Sequence, residues 1–212
     1  MDVLDTALFI GHGLTTTLQL LVGGLVIGLS LGILFSVCRH RGICRMPIRC
    51  YVSIIRGTPL LLQLSLIYFL GPSLGIHLDV VGAGILAFGL NSSAYVAEIL
   101  RAGMESLPIG QFEAAKTLKI PPFYAWRDIL LPQVVRRIFP AITGEVIALL
   151  KETALIATIG GADVMRRSQM IAAEKFTYFL PLCIAGLYYY GLVRLIECGA
   201  RRWEKRMAHV AH

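Results

Sequence analysis

Long apolar stretches constrain this chain more than any single residue does. A helix needs about 20 predominantly apolar residues to cross a bilayer. Five segments come close, at about 14–37, 58–76, 80–100, 138–159 and 178–200. Of the 212 residues, 56% are hydrophobic and only 16% charged, which places the chain in the integral membrane class. Lipid offers no partner for backbone amides, so each segment must satisfy its own as a helix. The fold expected is therefore an all-α integral membrane protein, a single transmembrane domain over residues 1–212 with about five transmembrane helices.

A formal net charge of +7 would suggest nucleic acid in a soluble protein, but here the placement of the charges explains it. With the N-terminus outside, residues 39–56, 101–137 and 194–206 lie inside and hold five, six and five basic residues. The outer side holds three, Arg166, Arg167 and Lys175, and Lys151 lies in a span. Basic residues concentrate on the cytoplasmic side of membrane proteins, so the C-terminus is expected in the cytoplasm. No nucleic-acid partner is expected. The basic tail Arg201–Arg206, with Trp203, is suited to membrane lipids. No Lys or Arg precedes Arg39, so the first segment lacks the basic region of a secretory signal and is expected to be kept as a span.

Polar and small residues punctuate the spans. Gly24, Gly28 and Gly32 recur every four residues and offer a smooth face for close helix packing. The same stretch contains Gly-x-Ser-x-Gly around Ser30, but inside an apolar helix it cannot form the strand-to-helix elbow of a hydrolase. Cys38, His40, Cys44 and Cys50 match no zinc spacing. The second span is interrupted at Gly71-Pro72, the kind of break at which transporter cavities form. Asn91, Ser92 and Ser93 lie deep in the third span and need partners inside the protein, either a neighbouring helix or a pathway. Glu145, Lys151 and Glu152 put ionisable groups on the fourth. Glu145 and Glu152, seven apart, share one face. That stripe suits a zwitterionic substrate or an internal ion pair. Gly160 to Asp163 then open an outer loop, and Glu197 and Arg201 are spaced to pair.

Between the third and fourth spans lies a polar, basic island, residues 105–133. Gln111 to Leu118 favours helix, Lys119 to Pro122 interrupts it, and Phe123 to Leu131 can form a second short helix before Pro132. A short helix is marginal in water unless it packs on something. This helix-turn-helix is therefore expected to gain stability from a partner's groove, presenting Ala114, Ala115 and Leu118. Glu113, near the helix start, complements its dipole or pairs with a partner's cation.

The spacing within this island resembles the docking loop of ATP-binding-cassette importer permeases: Glu113-Ala114-Ala115, a turn position at Lys119, and Ile129-Leu130-Leu131-Pro132. The family usually has Gly at the turn. Arg56-Gly57-Thr58-Pro59 through Gln63, Ala94-Tyr95-Val96-Ala97-Glu98-Ile99-Leu100-Arg101, Gly110-Gln111, Arg136, Pro140 and Leu149-Leu150-Lys151-Glu152-Thr153-Ala154-Leu155 resemble the polar amino-acid branch, of the histidine, glutamine and arginine type. Gly144 and Ala154 depart from its usual Asn and Ser. The resemblance covers roughly residues 50–165. It implies a type I importer permease in a bacterial plasma (inner) membrane, with Gly110, Glu113, Ala114, Ala115, Leu118 and Lys119 as the ATPase-docking residues. It also implies an extracytoplasmic substrate-binding protein and a second permease, either another copy or a homologue. With the polar positions above, it suggests Gln63, Asn91, Glu145, Lys151, Glu152, Thr153 and Asp163 as candidates for a substrate pathway. No Walker A sequence occurs, so ATP and Mg are expected on a separate ATPase subunit, with no cofactor, metal or catalytic residue on this chain. The alternative is a passive channel or scaffold, which has no need of the Glu-Ala-Ala spacing.

Overall fold

The computed structural model describes residues 3–209, with side chains as far as Arg206. Among the described residues it is helical and contains no strand. Helices α1 (Val3–Gly11) and α2 (Leu14–His40) lead into α3 (Arg45–Gly57) and α4 (Leu60–Ser65). α4 runs on through a π-helical turn, Leu66–Leu70, and a 3-10 turn, Gly71–Leu74. Helix α5 (Val80–Glu105) precedes the short α6 (Ile109–Thr117) and α7 (Pro122–Tyr124). A second π-helical turn, Ala125–Leu130, joins α7 to α8 (Leu131–Glu152), which tightens into a 3-10 stretch, Thr153–Ile159. Helices α9 (Val164–Lys175) and α10 (Phe179–His209) complete the chain.

Helix α5 is the axis of the bundle, packed against α2, α3, α4 and α8. The glycine row explains how α2 comes so close. A Cβ on Gly28 would stand 2.7 Å from Ser92 Cβ, and one on Gly32 2.6 Å from Val96 Cγ1. Leu20, Leu21, Leu64, Phe88, Leu149 and Ile156 fill the core where α2, α4, α5 and α8 converge.

The run Val3–His40, Val80–Glu105 and Phe179–Arg206 are long and apolar enough to cross a membrane. α3 and the Leu60–Leu74 run, bent by 104° at their junction, form a fourth candidate if taken together. The break falls at Thr58-Pro59, both extended, because proline disfavours a helical conformation in the residue before it. α8 carries Arg136, Arg137, Glu145, Lys151 and Glu152 and is less apolar than these, although it overlaps the expected fourth span.

Three features differ from the sequence-based expectation. Pro132 does not end the second docking helix. Helical backbone runs through it, from the π-helical turn Ala125–Leu130 directly into α8, and such irregular turns are where helices take up a proline. The hairpin therefore continues into the bundle without a break. The stretch after Asp163, expected as an outer loop, is the ordered helix α9, which Asp163 caps. Finally, α1 precedes the first expected span. It meets α2 at Gly13, where a Cβ would lie 2.5 Å from the Asp163 and Val164 backbone.

Candidate functional site

The docking candidates lie on α6 and its turn. Gly110, Glu113, Ala114, Leu118 and Lys119 are exposed, while Ala115 is buried against the body. Leu118, at the C-terminal end of α6, is 71% exposed and Ile109, at its start, 76%, so each end of the helix presents an uncovered apolar side chain. The turn follows from local chemistry. Ile120 N–H donates to Ala115 O and Lys119 N–H to Lys116 O, both at 3.0 Å, the Schellman arrangement that satisfies the last carbonyls of a helix. That arrangement needs a left-handed residue, and Lys119 supplies it at φ +54°.

The hairpin is tied to the body from behind. Gln111 and Gln133 exchange amide hydrogen bonds at 3.0 and 2.7 Å, tying α6 to α8. Trp126 stands edge-on to His40 at 5.1 Å and to Phe112 at 6.1 Å, so the hairpin also touches the end of α2. Arg137 donates to the Ser106 carbonyl, closing the α5–α8 side.

A second feature, not singled out in the sequence, stands beside the hairpin. Glu98 on α5 accepts from Arg39 of α2 at 2.8 Å and from Arg101 at 2.8 Å, with Arg56 of α3 at 3.8 Å. Arg101 also reaches Glu105, and Arg56 lies 5.2 Å from the Tyr95 ring centroid. One carboxylate thus ties together three helix ends. Glu98 and Arg101 lie in the family-like stretch of α5, but the partners from α2 and α3 are 59 and 42 positions away in sequence, and no local pattern reveals them.

The pathway candidates separate into two groups. Gln63 and Asn91 are buried together, with Asn91 Nδ2 donating to Gln63 Oε1 at 3.3 Å. Gln63 Nε2 in turn reaches the Ile55 carbonyl at 2.8 Å and Thr58 Oγ1 at 2.9 Å. These bonds satisfy the backbone freed at the α3–α4 break and tie it to α5. Thr153 is buried and donates to Leu150 O at 2.7 Å. Asp163 is fully buried. It accepts from the Arg166 amide at 2.8 Å and the Tyr189 hydroxyl at 2.9 Å. Burial pushes its carboxyl above the ordinary range, and those donors draw it back.

The other group lies on α8. Glu145 and Glu152 are half-buried, and Lys151 is exposed. Among the described residues none of the three joins an ion pair within 4 Å. Pro140, Ala141 and Gly144 are exposed on the same helix, and nothing lies within 4 Å of where a Gly144 Cβ would stand. This is a small-residue face carrying ionisable groups that make no close ion pair among the described residues.

A family model described as "Binding-protein-dependent transport system inner membrane component" matches residues 24–209. GlnP of Rickettsia typhi, named for a glutamine transport system permease, is 45% identical over 203 residues, 94% of this chain and 93% of the relative. The arginine transport system permease protein ArtQ of Bacillus subtilis is 43% identical over 203 residues, 94% of this chain and 92% of the relative. The crystal structure of an amino acid ABC transporter with histidines superposes with a TM-score of 0.88 at 34% identity, covering 97% of this chain and 99% of that one. An inward-facing MetNI methionine ABC transporter shares the fold, with a TM-score of 0.67 at 22% identity over 93% and 94% of the two chains.

Proposed function

Because this chain belongs to the binding-protein-dependent transport system inner membrane components and is the permease subunit of an ATP-binding-cassette importer, not itself catalytic, we propose that its cargo is a polar or charged amino acid. The names of GlnP and ArtQ support that class. ATP and Mg belong to a separate cytoplasmic ATPase, and an extracytoplasmic binding protein delivers the substrate. A second permease, a copy or a homologue, completes the pathway. It faces the small, charged surface of α8 that carries Gly144, Glu145, Lys151 and Glu152. The N-terminus lies outside and the C-terminus in the cytoplasm, in keeping with the sixteen-to-three distribution of basic residues.

Coupling runs through the hairpin. Closure of the ATPase pair carries α6 with it. The Gln111–Gln133 exchange and the continuity of α7 into α8 let that movement reach the spans as a near-rigid displacement, so that the pathway opens alternately to the two sides. The observation that carries this reading is the exposure of Glu113, Ala114, Leu118 and Lys119 on a short helix that Gln133 braces from behind. A short exposed helix of that kind gains its stability by seating in a partner's groove.

The test is capture of the tagged chain from solubilised membranes, with and without Glu113→Lys, combined with uptake of labelled glutamine and arginine in reconstituted vesicles. The wild type is expected to retain an ATPase bearing a Walker motif and to accumulate at least one of the two amino acids. The variant is expected to lose both while still inserting. Normal accumulation by the variant would sink the docking assignment, and ATP-independent flux by the wild type would point to a channel.

A further inference from the structure

On the hairpin side of the bundle the ends of α2, α3 and α5 enclose a cavity of about 320 Å³, lined among others by Arg39, Arg45, Arg49, Arg101, Phe112 and Trp126. Its positive charge is only partly answered. Glu98 holds Arg39 and Arg101, and Glu105 takes the other side of Arg101. Arg45 gives only its Nε, to the Arg39 carbonyl at 3.2 Å. Among the described residues no carboxylate lies within 4 Å of Arg45 or Arg49. Two guanidinium groups thus face a cavity whose one lining carboxylate, Glu105, is paired with Arg101, and the planar guanidinium fork matches phosphate oxygens.

The shape of α3 identifies the source of that phosphate. Its axis turns 104° from that of the Leu60–Leu74 run, so where α4 enters a bilayer, α3 runs along the surface. Ile48 and Val52 are buried against Ala94 and Ala97 of α5. Met46, Cys50 and Ile54, spaced by four and exposed, form a second apolar stripe. Arg45, Arg49 and Arg56 lie between the two stripes on the helical wheel. Such a helix lies in the interface with its free apolar stripe among acyl chains and its cations at headgroup level. We propose that this cavity binds the phosphate of an anionic phospholipid, whose acyl chains lie along Met46 and Ile54. Basic pockets between membrane helices suit such headgroups. The inference requires only that α4 enters the membrane, so it can fail while the transport reading stands, and the reverse.

The experiment is native mass spectrometry of the full-length chain released from detergent, titrated with phosphatidylglycerol, with phosphatidylcholine and with inorganic phosphate. One phosphatidylglycerol is expected to stay bound in preference to phosphatidylcholine. Each basic residue near an anionic surface contributes roughly fivefold to affinity, so the double variant Arg45→Gln/Arg49→Gln should lose about 30-fold, and Arg202→Gln in the basic tail should lose far less. If the double variant elutes as an aggregate, Arg49→Gln alone is read, since Arg49 is exposed and its loss disturbs no packing. Equal retention of the two lipids, or unchanged retention by the arginine variants, overturns the proposal. Competition by inorganic phosphate at matched concentration overturns it in favour of a free-anion site. Complete displacement of the lipid by the purified ATPase partner would assign the cavity to a protein acid instead.

Discussion

Lys119 adopts a left-handed conformation, φ +54°, that residues other than glycine reach at a cost of roughly 1–2 kcal/mol. The strain persists because the turn it makes satisfies two carbonyls of α6. Lys119→Gly should therefore strengthen the hairpin by about 0.5–1 kcal/mol, after allowing for glycine's extra freedom in the unfolded chain. Amide hydrogen exchange over Glu113–Leu118 in the full chain should slow, with capture of the ATPase unchanged. Faster exchange would mean that the lysine side chain itself holds the turn. The turn position was legible in the sequence because Pro121 and Pro122 interrupt the helix there, whereas the left-handed conformation of Lys119 emerges only in the fold. The Glu98 node was not legible, because a carboxylate's partners from distant helices leave no local pattern. Glu98→Gln would leave Arg39 and Arg56 without an anion and Arg101 with Glu105 alone. Loss of one partner from a fully buried pair costs about 3–5 kcal/mol, and Glu98 retains 19% exposure of its side chain, so about 1–3 kcal/mol is expected. Thermal unfolding in detergent should fall accordingly. Arg56→Ala, removing the arm at 3.8 Å, should matter less. Equal effects would mean that the node has no directional role.

Among the elements, α2 and α5 show how a spacing becomes a packing surface. The four-residue glycine period in α2 announces close approach. Only the fold shows that Ser92 and Val96 of α5 fill the space. Gly28→Leu should separate the two helices and destabilise by more than about 3 kcal/mol, since overpacking a core by extra methylenes costs 1–3 kcal/mol and here a whole side chain has no room. Yield of monodisperse protein reports it. Gly199→Leu on α10, with nothing within 4 Å, is the control expected to be tolerated, and equal yields would deny the α2–α5 contact its role. The hairpin gives the complementary lesson. Reading Pro132 as a stop treats proline as a breaker wherever it falls. Here helical backbone runs through it, directly after the π-helical turn Ala125–Leu130, so the exposed hairpin is continuous with an element that enters the bundle. Asn91 was legible as a polar group needing a partner, and Gln63 stood out only through the resemblance. That they find each other, and bind the backbone exposed by the α3–α4 break, depends on a bend that the sequence marks only by Thr58-Pro59.

At the scale of the whole molecule, the charges of α8 separate a chain that works alone from one that works in a pair. Placing an ionisable side chain at mid-membrane costs about 2.5–3.5 kcal/mol on insertion scales. Lys151 is nevertheless exposed, and no carboxylate lies within 4 Å among the described residues. Lipid would penalise that arrangement, whereas a water-filled seam between two permeases would not. The neighbouring Pro140, Ala141 and Gly144 keep the surface low enough for a second subunit to approach. Crosslinking tests the seam directly. After the five native cysteines are replaced by serine and uptake is shown to persist, Gly144→Cys should join to a second permease through a short bifunctional maleimide in native membranes. Leu187→Cys, on the 70%-exposed outer face of α10, should not. Crosslinking with a single chain species would identify a homodimer, and crosslinking to a different permease a heterodimer. Equal reaction at both positions would reflect random collision, and the α8 face would then have to be reassigned to lipid or to an internal partner.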